Sequence, residues 1–259
     1  MIAALCGVSL LLAFGCDGNG KEPGSGKTAG TAPGAGLKEL KSTDTKEGTG
    51  AAIAKGDLAL VSYTGKLKNG TVFDSNDKPD GSPFAFRVGA GGVIKGWDEG
   101  VVGMKVGGIR QLEIPSVMGY GAQESAGGKI PPNSDLYFEV KLLDMVKVGE
   151  ENFWEKKDLK VGTGPMAEDG DTVTVDYIGK LVNGRRFDST YERNKPETFK
   201  LGNGDVIVGL DNGIRGMQAG GKRWMRLTPD ISYGAYGMGA VPPDSVVLFE
   251  VELRKVQKG

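Results

Sequence analysis

Apolar and polar residues alternate in short runs along most of the chain, and the runs come in pairs. Ala59, Val61 and Tyr63 lie at alternate positions, as do Val173, Val175 and Tyr177, and a strand with one buried face needs that period of two. Two later runs alternate as cleanly: Leu136, Phe138, Val140 and Leu142, then Val247, Phe249, Val251 and Leu253. Asn69-Gly70 and Asn183-Gly184 fall between apolar runs at equivalent places and predict tight hairpins. Only the stretch after Gly96 or Gly209 leaves room for a helix, a short one ending near Gly103 or Gly216. The pattern predicts an antiparallel sheet folded over a single small helix: an α+β fold, written twice.

The duplication is explicit in the letters. "EGTGAAIAKGDLALVSYTGKLKNGTVFDS" (47–75) aligns with "VGTGPMAEDGDTVTVDYIGKLVNGRRFDS" (161–189) at a constant offset of 114. The offset is 113 at Gly96/Gly209 and Tyr120/Tyr233, and 111 at "PPNSDLYFEVKLL" (131–143) and "PPDSVVLFEVELR" (242–254). Small drifts of this kind put insertions in loops and leave elements whole. A period so long means tandem domains, not a solenoid of short units. The expected organisation is a first domain over 37–148, a linker over 149–157 and a second domain over 158–258, with Trp154 packing on a domain.

Composition narrows the chemistry. Among 259 residues, 32 are basic and 33 acidic, so no basic field favours nucleic acid. Histidine is absent, which excludes Ser-His-Asp and Cys-His catalysis and His-ligated zinc. No metal or cofactor is expected. "MIAALCGVSLLLAFGC" (1–16) is apolar, uncharged and too short to span a bilayer, which takes about 20 residues. Its ending, "LLAFGC", resembles a bacterial lipobox, so the expectation is a signal peptide cleaved before Cys16, which carries lipid; a plain signal peptide with a chance cysteine is the alternative. Residues 17–36 are Gly/Pro/Ser/Thr-rich and read as a flexible tether. The protein is thus expected to be an exported, membrane-anchored lipoprotein of a bacterial cell envelope. A P-loop look-alike inside the tether, "GNGKEPGSGKT", has one residue too many and no strand before it.

Each copy also offers aromatic side chains with a few polar tips, the makings of a small-molecule or peptide pocket. A plain hydrophobic core reads the same way in periodicity alone. A carboxylate beside an aromatic, Asp74 or Asp188, favours a site, because such a group needs a partner.

The string "VSYTGKLKNGTVFDS … GGVIKGWDEGVVGMKVGG … YGAQESAGGKIPPNSDLYFEV" closely resembles the FKBP family of peptidyl-prolyl cis/trans isomerases. The second copy is similar through "VDYIGKLVNGRRFDS", "VIVGLDNGIRGM", "SYGAYGMGAVPP" and "LFEVEL", and the two matches span nearly all of residues 45–256. The resemblance implies two tandem α+β domains, each a five- to six-stranded antiparallel sheet wrapped around one short helix, with the pocket between helix and sheet. It also implies rotation of Xaa-Pro bonds in proline-containing polypeptides, unfolded or newly exported, and binding of macrolide-type inhibitors. Carried over by motif, the first pocket comprises Tyr63, Phe73, Asp74, Phe84, Val93, Ile94, Trp97, Tyr120, Ile130 and Phe138, with Trp97 as the floor under the proline ring. It further implies that the Ile94 N–H fixes a carbonyl of the bound chain while Tyr120 and Asp74 position it. The second pocket comprises Tyr177, Phe187, Asp188, Val206, Ile207, Leu210, Tyr233, Val241 and Phe249, with Leu210 in place of the tryptophan and Glu197 where the aromatic wall belongs. The first domain is therefore expected to be the more active. A tethered chaperone or a proline-peptide-binding adaptor with little turnover is the alternative, above all for the second domain.

Overall fold

The computed structural model describes residues 36–125, 127–152 and 154–259; the expected signal peptide, Cys16 and all but the last residue of the tether lie outside them. Two six-stranded antiparallel sheets follow one another along the chain. The first contains β1 (Lys41–Lys46), β2 (Leu58–Leu67), β3 (Val72–Ser75), β4 (Phe84–Arg87), β5 (Ile109–Ile114) and β6 (Leu136–Val146). Its order is β1-β5-β6-β2-β3, with β4 also on β2, and helix α1 (Lys95–Gly100) lies against it. The second contains β7 (Trp154–Lys160), β8 (Thr172–Leu181), β9 (Arg186–Ser189), β10 (Glu197–Lys200), β11 (Lys222–Leu227) and β12 (Val247–Gln257). Its order is β10-β8-β12-β11-β7, with β9 also on β8.

Two details depart from the sequence reading. Residues 154–157, assigned there to the linker, are the first half of β7, which pairs with β11 as an edge strand. An exposed edge strand needs no alternation, so "WEKKDLK" carries no period to reveal it. The second domain has two helices, not one: α2 (Thr190–Arg193) precedes α3 (Val208–Ile214). One turn is enough there because Ser189 caps it, accepting from the Glu192 N–H at 3.4 Å, and Asn194 ends it at φ 49°. The Asn-Gly turns do close the expected tight hairpins, β2–β3 and β8–β9, the first around the three residues 68–70. Leu67 accepts from Gly70 N–H and Thr71 accepts from Leu67 N–H, both at 2.9 Å, and Gly70 takes φ 86°. Glycine there occupies the left-handed position that ends a type I turn.

Each helix is held close to its sheet and pinned at both ends. A Cβ on Gly96 would lie 2.4 Å from Ile114 Cγ2, so only glycine permits this approach. The buried Asp98 accepts from Gly89 and Gly91 N–H groups, both at 2.9 Å, fixing the loop that enters α1. The buried Arg110 donates to the carbonyls of Gly100 (2.9 Å) and Val102 (2.8 Å), satisfying the far end of the helix, and pairs with Asp44. Asp211 and Arg223 repeat both devices around α3.

The two domains meet. Leu58, Leu60 and Val146 of the first form one buried cluster with Val246 of the second. Beside it, Arg226 grips Asp144 with two hydrogen bonds of 2.9 Å and donates a third, of 2.8 Å, to the Met145 carbonyl.

Candidate functional site

Trp97, the third residue of α1, is 2% exposed and surrounded by rings from the sheet. Tyr63 of β2 and Phe138 of β6 meet it edge-on at 5.0 and 5.2 Å, and Phe84 and Phe86 of β4 stand at 6.1 and 5.5 Å. Phe73 of β3 lies edge-on to Phe138 at 5.5 Å. Alternation sets this up: Tyr63, Phe138 and Phe86 sit on strands whose every second residue faces α1. Gly65 leaves the room, since a Cβ there would stand 2.6 Å from Phe73 and 2.7 Å from Phe138. Ile130 is buried in the same cluster, with Val93, Ile94 and Tyr120 half-buried against it. All the apolar and aromatic positions expected for the first pocket therefore converge.

Its polar groups are few. Tyr63 donates its hydroxyl proton to Asp74 at 2.7 Å; burial, then that carboxylate, push the phenol far above its ordinary range. Burial raises the Tyr120 hydroxyl as well. Ile94 is the N-cap residue of α1, where backbone N–H groups have no partner within the helix. The buried indole N–H of Trp97 finds no acceptor among the described residues, a cost that a purely structural core seldom carries.

The second cluster has the same plan with different walls. Phe249 meets Tyr177 at 5.6 Å and Phe187 at 5.7 Å, and Phe187 meets Tyr233 at 5.7 Å. Leu210, buried, takes the helix position of Trp97. Val241 is buried here, with Val206 and Ile207 half-buried beside it. Tyr177 donates to Asp188 at 2.5 Å, and burial with the neighbouring Tyr177 pushes the Tyr233 hydroxyl up to about 12. Arg193 pairs with Asp188, stands 3.6 Å from Glu197 and donates to the Tyr177 hydroxyl at 3.3 Å. One edge of this pocket is thus a guanidinium between two carboxylates, where the first pocket has a phenyl ring.

Sequence reasoning missed Phe86, Asp98, Arg110 and their role in holding the floor. The signal was present: Phe86/Phe199, Asp98/Asp211 and Arg110/Arg223 recur at the duplication offsets of 113. A groove of about 290 Å³ lined by Leu159, Ile178, Tyr191 and Lys222 lies apart from both clusters, on the side of β8 opposite Tyr177, and gathers no comparable set of groups.

Residues 50–143 and 164–254 both match the family described as FKBP-type peptidyl-prolyl cis-trans isomerase. The chain is 34% identical over 202 residues to the human peptidyl-prolyl cis-trans isomerase FKBP10, across 78% of this chain and 34% of that protein. It therefore spans about a third of the length of that relative. It is 56% identical over 102 residues to FK506-binding protein 4 of Neurospora crassa, across 39% of this chain and 21% of that one. Among solved structures, the three FKBP domains of wheat FKBP73 match at 27% identity and a TM-score of 0.39, over 85% of this chain and 95% of that one.

Proposed function

The chain belongs to the FKBP-type peptidyl-prolyl cis-trans isomerase family, and we propose that its first domain accelerates rotation about Xaa-Pro bonds in exported polypeptides. The supporting observation is the ring of aromatic edges around Trp97. Rotation faces a barrier of about 20 kcal/mol because amide resonance keeps the bond planar. That planar form is charge-separated, and a dry aromatic pocket solvates it poorly compared with the twisted form, so the pocket binds the transition state better than the substrate. The proline ring rests on Trp97. The Ile94 N–H, an orphan donor at the start of α1, holds a carbonyl of the bound chain, and the Tyr120 hydroxyl positions it. Asp74 accepts from Tyr63 and so orients that ring; no proton transfer is needed. Macrolides that mimic a bound proline compete for the same floor.

The second domain is a slower isomerase or a proline-peptide binder. Leu210 offers the proline less surface, and the Arg193–Glu197 edge is polar. Its rim favours binding: Tyr236 is 94% exposed and Met238 66%, apolar surface that an extended client would cover. Export and anchoring through Cys16 belong to the same proposal. They rest on the apolar stretch of residues 1–16 and the tether that follows. Mass spectrometry of the mature protein is expected to find Cys16 as a lipidated first residue; an unmodified Cys16 removes the anchor.

The deciding test is NMR exchange on a short Xaa-Pro peptide with the whole chain and its Trp97→Leu form. Fast exchange lost in the variant supports a first-domain isomerase. No acceleration over solution by the unaltered chain leaves a chaperone or adaptor.

A further inference from the structure

The segment from Asn76 to Pro83 delivers Phe84 to the wall of the first pocket. Its counterpart in the second domain supports itself through the capped turn of α2. The first-domain segment carries Pro79, Gly81 and Pro83 and contains no helix. On its inner side Asn76 accepts from Tyr63 N–H at 2.7 Å and donates to the carbonyls of Val61 (3.2 Å) and Ser82 (2.8 Å). Its outer side is held by the other domain. Asn183 donates its amide Nδ2 to the Gly81 carbonyl at 2.8 Å, and Arg185 donates Nη2 to Ser82 Oγ at 2.9 Å. The same Nη2 reaches the Ala240 carbonyl at 2.7 Å, one residue before Val241.

Position 185 corresponds to Thr71 in the first copy, at the duplication offset of 114. In both hairpins the preceding asparagine folds back onto this residue's N–H, Asn69 at 3.0 Å and Asn183 at 3.1 Å. The turn is common to both copies; only the reach of the side chain differs. Arg185 Nε, moreover, is buried with no partner among the described residues, so completing the hydrogen bonds of its own hairpin does not account for this guanidinium.

We propose that Arg185, assisted by Asn183, is a positioning residue for the first pocket, supplied by the second domain: it fixes Gly81-Ser82 and so the half-buried Phe84 against Trp97 and Tyr63. The first pocket is then complete only when the second domain is docked. The link to turnover rests on the isomerase reading, whereas the positioning itself is visible in the free protein.

The test uses the full chain with Trp154→Phe and Trp224→Phe, which leaves Trp97 as the sole tryptophan. Arg185→Thr, the residue of the first copy, is expected to open Trp97 to acrylamide quenching. It should also raise KM for an Xaa-Pro peptide about 3- to 10-fold while kcat falls less than about twofold. The thermal midpoint should hardly move, as a merely structural role would not allow. Ser82→Ala should give the same shift alone and add less than about twofold to Arg185→Thr, because both cut one link. Unchanged quenching and KM in Arg185→Thr, or full additivity of the pair, overturns the proposal. If the unaltered chain turns over no peptide, quenching still decides the positioning, and the two failures stay distinct.

Discussion

Phe84 and Glu197 stand on the same rung of their two sheets: Phe84 pairs with Val61 and Glu197 with Val175, its equivalent. The duplicated fold thus kept the backbone and exchanged a ring for a carboxylate, which Arg193 then met at 3.6 Å. In a chain whose first pocket carries Trp97→Leu, Glu197→Phe combined with Leu210→Trp is expected to raise residual Xaa-Pro isomerisation at least about tenfold, some 1.4 kcal/mol of transition-state binding. Exchange NMR reads it directly. No gain would mean that floor and wall are not what separates the two copies.

Asp98 is worth more than its sequence neighbourhood suggests. Replacing it with Ala strands the N–H groups of Gly89 and Gly91, and the expected cost is about 1–3 kcal/mol in urea unfolding. Asp98→Asn keeps one acceptor and should lose less.

Stability should form a plateau with two edges. Asp44 and Asp158 are held below the ordinary aspartate value of 3.8, chiefly by their hydrogen bonds to Arg110 and Arg223. Groups depressed on folding stabilise above their unfolded pKa, and that contribution disappears as pH falls below about 4 through the folded values. Tyr233, raised to about 12 from 10, works on the other side. The folded state keeps this proton more tightly than the unfolded chain, so stability is full below pH 10 and declines as pH rises towards 12. Tyr63 and Tyr120, raised in the same direction by burial, add to that alkaline edge. Thermal midpoints across pH 2–12 check both edges, and Asp44→Asn should flatten only the acid one. Between them isomerisation should be nearly pH-independent, because bond rotation needs no proton transfer and the chain has no histidine.

Arg226→Ala leaves Asp144, whose side chain is only 16% exposed, without its bidentate partner. Removing one member of a largely buried pair costs about 3–5 kcal/mol. Calorimetry should then resolve two unfolding transitions in place of one coupled event. A single unchanged transition would show that the domains fold without regard to this contact.

Much of this architecture was legible because period and repetition carry it. Alternation marked β2, β6, β8 and β12, and the offsets marked the second domain. The pocket came from matching motifs rather than from periodicity, which cannot tell a lined pocket from a core. What stayed hidden depends on partners distant along the chain. β7 is an exposed edge, held by its pairing with β11 and by Trp154 against the second core. Asp98 and Arg110 act on backbone groups of loops and helix ends; their recurrence at the duplication offset marks them, but only the fold shows what they bind. Arg185 is one more surface arginine until Ser82 is placed beside it.

The contact between the domains is head-to-tail: one domain offers Leu58, Leu60 and Val146, the other a different patch around Val246. Such a joint, repeated, generates a closed ring or an open-ended fibre. Here the outward faces of the two domains do not repeat the joint. The places of Leu58, Leu60 and Val146 in the second domain are held by Thr172, Thr174 and Gln257, and that of Val246 in the first by Asp135, already engaged with Leu37 and Ser116 N–H groups. A third unit would find polar side chains where the apolar seat should be. The apolar joint is thus made once between these two domains, and polar residues occupy the matching faces on either side of the pair, as they do in the end repeats of longer arrays.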